Sequence, residues 1–141
     1  MFSRRALTCG EDHAGVKRFE DLIAWQKARA LAGAIYRAAG KGGFERDFGF
    51  KDQTTRASAS VMSNIAEGFE RGTKSEFHQY LVVAKGSCGE VRSQLYLASD
   101  VGYLPAADFD RLMAQANEVA RYVNALRAAV QKRRDQEKSR C

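Results

Sequence analysis

From Phe77 onward, apolar residues return at alternating spacings of four and three: Phe77, Leu81, Ala84, Cys88, Val91, Leu95, Ala98 and Gly102. That period belongs to the seam of a packed bundle helix. At about 1.5 Å per residue, a helix over 75–102 would be roughly 40 Å long. Ser75 is placed to cap its start, and Gly102 to stop it at C′. The pattern repeats through Phe109, Leu112, Ala116, Val119, Val123, Leu126 and Val130, with Pro105 suited to the first turn. An Ala-rich face around Leu22, Trp25, Ala28, Ala32, Ile35 and Tyr36 marks an earlier helix, which ends at Gly40 before a Gly42-Gly43 turn. The reading gives helices at about 19–39, 47–71, 75–102 and 106–134, within a bundle domain of 18–134. Residues 1–17 read as a flexible N-terminal arm and 135–141 as a flexible C-terminal tail. No segment alternates with period two for long enough to compete as a strand. A chain of 141 residues suits one domain with a real core. Short connections then force an all-α, antiparallel up-down-up-down four-helix bundle.

Three motifs interrupt this regular pattern: Asn64-Ile65-Ala66-Glu67-Gly68, Ser75-Glu76-Phe77-His78-Gln79-Tyr80-Leu81 and Gly86-Ser87-Cys88-Gly89-Glu90. They put small and polar residues where a simple bundle carries Leu or Ala, which implies close backbone approach and buried hydrogen bonding. With a turn near 72–74, residues whose numbers sum to about 146 share a height on the second and third helices. Ala57-Ser58-Ala59-Ser60 then meets Gly86-Ser87-Cys88-Gly89, and Glu67 comes level with Gln79. The same register sets Arg56 beside Glu90 as an inter-helix ion pair. Arg56, Asn64, Glu67, Ser87 and Glu90 are thus the expected structural polar core. A second stripe on the third helix, Tyr80, Val83, Leu97 and Val101, either extends the core or contacts another subunit.

These motifs carry a resemblance. With Phe19-Glu20-Asp21-Leu22, Trp25-Gln26-Lys27-Ala28, Gln53 through Arg56 leading into Ser60, and Val101-Gly102-Tyr103-Leu104, the chain resembles the small four-helix-bundle family encoded within intervening sequences of bacterial 23S rRNA genes. It is also similar to the accessory variability proteins of diversity-generating retroelements. The likeness covers about residues 19–131. At Val61-Met62-Ser63 it departs from the family, which usually has an isoleucine-proline type of step after the serine. The resemblance implies a left-handed bundle assembled as a ring-like homopentamer. In the retroelement branch it also implies binding to nucleic acid and to a reverse transcriptase.

Charge supplies an independent line. The chain carries a net charge of +6, which favours an acidic partner such as RNA or DNA. The bundle layout gathers Lys17, Arg18, Arg71, Lys74, Arg127, Lys132, Arg133 and Arg134 at one end, with Arg4, Arg5, Lys138 and Arg140 in the flanking tails. Acidic residues including Glu70, Asp135 and Glu137 dilute that end. The other end sets Lys41, Arg46, Lys51 and Arg111 against Asp47, Asp52, Asp100, Asp108 and Asp110. Without a stacking platform or base-reading motif, contacts at the basic end would follow the phosphate backbone with little sequence preference.

Catalytic, metal and cofactor roles find no support in the residues. The chain has two histidines, His13 and His78, and neither completes the Glu-x-x-His of a di-iron bundle. Cys88 stands ten residues from His78 along one helix, roughly 15 Å away. Gly68-Phe69-Glu70-Arg71-Gly72-Thr73-Lys74-Ser75 lacks the Gly-Lys-Ser/Thr ending of a phosphate loop. No run approaches the roughly 18 apolar residues of a membrane span. Arg4-Arg5 is followed by no apolar export core. Three cysteines, an odd number, read as reduced thiols in a cytoplasmic protein. The expectation is a non-catalytic oligomeric module that binds nucleic acid through its basic end. The alternative is a structural or protein-interaction scaffold with no nucleic-acid role.

Overall fold

The computed structural model describes residues 15–140. Residues 1–14 of the expected arm, with Arg4, Arg5, Cys9 and His13, lie outside the described residues, as does Cys141. The described residues form helices and turns and include no strand. A 3-10 turn, Phe19–Asp21, leads into α1 (Ile23–Ala39), α2 (Gly42–Arg46), α3 (Phe48–Glu70), α4 (Lys74–Asp100) and α5 (Ala106–Arg140).

Local chemistry sets the boundaries. Leu22 is extended, at φ −72° and ψ 123°, so the expected first helix is divided after Asp21. The Gln26 side-chain amide donates to the Glu20 carbonyl at 2.9 Å and ties the turn to α1. After Gly40 the chain makes a further helical turn, α2, where only a Gly-Gly turn was expected. Gly42 permits it by taking φ +56°. Asp47 then caps α3, its Oδ1 accepting from the Phe50 amide at 3.2 Å. The cap of α4 is Thr73 rather than Ser75: the Glu76 amide donates to Thr73 Oγ1 at 3.2 Å. Thr73-Lys74-Ser75-Glu76 has the residue order of a capping box.

At the far end of α4, Gly102 adopts φ +79°. The Tyr103 amide donates back to the Ala98 carbonyl at 2.8 Å, and the Gly102 amide to Ser99 at 3.1 Å. This is a Schellman stop, at the position expected for Gly102. Pro105 lies just before α5 rather than inside its first turn, and its carbonyl accepts from the Phe109 amide at 3.0 Å. The last helix does not stop at 134 but continues to Arg140, through most of the segment expected to be a tail.

The α3 and α4 helices run in opposite directions: Ser60 meets Ser87 at 2.9 Å, and Tyr80 donates to Glu67 at 3.0 Å. So do α4 and α5, where Tyr96 packs on Phe109 and Lys74 pairs with Glu137. The α1 helix packs against both α3 and α5. The seam of α4 is wholly inside, Phe77, Leu81, Ala84, Val91, Leu95 and Ala98 each being fully buried. On α5, Leu112, Ala116, Val119 and Val123 are buried in the same way, as the spacing required. Leu31 and Phe44 add large buried side chains that the α1 pattern did not single out.

One packing alternative is removed and one packing expectation fails. Val83, Leu97 and Val101 are about half exposed, so this stripe is not core. Nor do the two small-residue patches meet along their lengths. Ser87 reaches Ser60, but a Cβ placed on Gly86 or Gly89 would have nothing within 4 Å. The close approach of α3 and α4 is made one motif earlier. A Cβ on Gly68 would lie 2.5 Å from Tyr80 Cβ and 3.1 Å from the Phe77 ring. Gly68 therefore sets the helix separation near the α3–α4 turn.

Candidate functional site

The basic end is less open than its sequence suggests. Lys74 is buried and paired with Glu137, so it belongs to the packing of α4 on α5 and not to a surface for phosphates. Arg18 pairs with Glu20 at 2.8 Å. Arg71 donates to the Tyr80 hydroxyl at 2.8 Å through Nη2, lies over the Tyr80 ring and sits 3.5 Å from Glu76. The same hydroxyl donates to Glu67, so Tyr80 joins a cation on the turn to a carboxylate of α3. Sequence spacing placed Glu67 beside Gln79, one residue short of its partner.

What remains toward solvent is carried mostly by α5. Lys17 and Lys132 are exposed, while Arg127, Arg133 and Arg134 are half-buried. Arg127 and Lys132 border one shallow depression, with Asp135 on its rim. Arg127 also lies 3.4 Å from Nε2 of His78 on α4. Burial pushes the His78 pKa below the ordinary imidazole value, and the charges of Arg127 and Arg134 push it the same way. A neutral His78 accepts from the guanidinium. The cations of this end therefore do not form one continuous basic face: part of the set is spent on Glu20, Glu76 and Glu137.

The expected polar core is also redistributed. Arg56 does not pair with Glu90: it is exposed and bonds one turn back to Asp52 at 3.0 Å. Glu90 is exposed too, and accepts from Gln94 Nε2 at 3.2 Å on its own helix. The register was nearly right, but both side chains point outward from the α3–α4 contact. Asn64 and Ser87 do join a polar contact there, with Asn64 Nδ2 donating to Ser60 Oγ at 2.9 Å. Cys88 sits in the core, where burial raises its thiol pKa to about 11 and keeps it protonated and unreactive. Among the described residues, no group of three His, Cys, Asp or Glu side chains could hold a metal ion. No helix of the described residues is long and apolar enough to cross a membrane.

The other distinctive surface is the outward side of α4. Val82, Val83 and Leu97 are about half exposed, and Gly86 and Gly89 lie between them, exposed and without neighbours at Cβ among the described residues. Each mid-helix glycine costs about 1 kcal/mol relative to alanine. Nothing in the packing of the described residues requires that cost. The sequence already marked part of this face, as the stripe through Val83, Leu97 and Val101, but placed Gly86 and Gly89 toward α3 instead.

Residues 20–125 match the family model described as 23S rRNA-intervening sequence protein. The chain belongs to this family. A solved structure similar to this 23S rRNA-intervening sequence family member is a protein of unknown function from Bacteroides thetaiotaomicron, assigned to the S23 ribosomal protein family. It aligns with a TM-score of 0.68 at 18% identity, over 74% of this chain and 97% of its own. At that identity the likeness speaks for the fold alone. No curated protein matches the chain.

Proposed function

We propose that this chain is a non-catalytic, self-associating up-down-up-down, left-handed four-helix bundle whose copies bring their α5 ends together as a backbone-directed surface for nucleic acid. The observation that carries the reading is the outward face of α4, where Gly86 and Gly89 lie exposed between Val82, Val83 and Leu97. Small residues in mid-helix let a second backbone approach closely, and flanking apolar side chains supply area to bury. A ring of five copies, as the family resemblance implies, would repeat Lys17, Arg127, Lys132, Arg133 and Arg134 around one rim. Repetition restores the field that Glu20, Glu76 and Glu137 weaken within each copy. A nucleic-acid enzyme such as a reverse transcriptase is the protein partner this reading allows, and the unbridged thiol of Cys88 suits a cytoplasmic setting.

The test is light scattering of the full chain, with and without structured RNA, at low and high salt. A pentamer that captures RNA and releases it as salt rises is the expected result. Reversing Lys132, Arg133 and Arg134 to glutamate should abolish RNA capture while leaving assembly intact. Replacing Val83 with lysine should lower the mass. A pentamer indifferent to RNA would leave the scaffold reading, and a monomer that ignores Val83→Lys would remove the α4 interface.

A further inference from the structure

At the end of the molecule opposite the α5 cations, α1 and α5 part around a cavity of about 500 Å³. Two of the three α1 residues lining it, Ala34 and Ala38, are too short to fill the groove. Its rim holds three cations from separate parts of the fold: Arg37 near the end of α1, Lys41 in the following turn and Arg111 on α5. Asp108 is the one carboxylate of the lining, and it pairs with Arg111 at 3.1 Å. The side chains of Arg37 and Lys41 have no hydrogen bond or ion pair to any described residue. The Arg37 guanidinium lies back along its own helix, where a Cβ on Gly33 would come within 3.3 Å of Nη1. The lining thus carries an excess of two positive charges that no described residue neutralises.

One wall is aromatic and held in place. Tyr103 lines the cavity and donates its hydroxyl to Asp47 Oδ2 at 2.8 Å. Its ring stacks on Phe44 at 5.6 Å between centroids. Gly43 presses against the same ring: a Cβ there would come 2.8 Å from Cε1. Leu104, buried in the core, adds an apolar surface. A bare inorganic anion would leave most of this space empty, whereas the volume falls among small-molecule pockets.

The geometry points to a binding site for a small organic phosphate, its anionic group held by Arg37 and Lys41 and its flat body set against Tyr103 and Leu104. Guanidinium groups suit this role because they present paired donors to phosphate oxygens. The Asp108 carboxylate would repel a phosphate placed beside it, so the anion sits on the Arg37–Lys41 side, with Asp108 accepting from a hydroxyl of the ligand. This site is separate from the α4 and α5 surfaces proposed above and does not depend on them.

Calorimetric titration of the full chain with adenosine 5′-monophosphate at low salt tests it, with adenosine and inorganic phosphate as companion probes. Saturable binding of the nucleotide is expected, with both companions weaker by about tenfold or more. Arg37→Gln and Lys41→Gln should each weaken it by about tenfold. Both side chains are exposed, so these variants should fold, which circular dichroism would verify. Lys132→Gln should leave this binding unchanged, which separates the cavity from the α5 end. Absence of saturable nucleotide binding, or equal affinity in wild type, Arg37→Gln and Lys41→Gln, would overturn the proposal. Inorganic phosphate binding as tightly as the nucleotide would overturn the role given to Tyr103 and Leu104.

Discussion

The two sides of α4 use small residues for different ends. Toward α3, Gly68 accepts Tyr80 and Phe77 at distances no side chain would permit, and Ser60 and Ser87 share a hydrogen bond. Away from α3, Gly86 and Gly89 face open space. On one side the absence of a side chain is needed by contacts within the chain, while on the other it weakens the helix without a return among the described residues. A glycine in a helical sequence therefore signals close approach only when its neighbour is known.

The sharpest way to break the comparison is Gly68→Ala. The new methyl group meets Tyr80 Cβ, which cannot rotate away, so a loss of about 3 kcal/mol is expected in urea unfolding. An unchanged midpoint would mean the helices separate freely there. Next is Lys74→Ala, which leaves Glu137 without its buried cation. Glu137 keeps partial solvent contact, so the cost should be about 2 kcal/mol, below that of a fully buried pair.

Gly86→Ala should act in the opposite direction. In a monomeric state it should stabilise by up to about 1 kcal/mol through helix propensity, read as a rise in melting temperature. If the α4 face is a subunit contact, the same substitution should also lower the scattering mass. Glu90→Ala is a smaller change still, within about 0.5 kcal/mol, because the side chain is exposed and does not hold Arg56. A loss near that of Lys74→Ala would revive an inter-helix role for Glu90.

The mildest effect is one of pH. His78 has a folded pKa below its unfolded value, so the unfolded chain binds the extra proton first. Its contribution is steady above about pH 6.5 and declines as pH falls from there toward the lower folded pKa. His78→Gln should flatten that part of the stability–pH curve. An identical slope in the variant would assign the effect to other groups.

Helix seams were legible because they depend on a local period: Phe77 through Ala98, and Leu112 through Val123, are buried as their spacing required. The Gly102 stop was legible for the same reason, since a left-handed residue after a helix is a local demand. The inter-helix register was legible to within about one residue from the turn position, as Ser60 with Ser87 and Glu67 with Tyr80 testify. That accuracy did not suffice for side-chain partners. One residue along a helix rotates a side chain by about 100°, enough to point Arg56 and Glu90 into solvent.

The sequence by itself therefore determined the helical class, the core faces of α4 and α5, and the family, since each rests on periodicity or on motifs continuous in the chain. Only the tertiary structure decided that Lys74 is buried against Glu137, that Gly68 rather than Gly86 sets the α3–α4 spacing, and that Arg37, Lys41 and Arg111 share a cavity. Those outcomes depend on the rotation of each helix about its axis and on what lies across from it. Local period constrains that rotation for the core, but it leaves the pairing of the charged and small residues at its edge to the packed assembly.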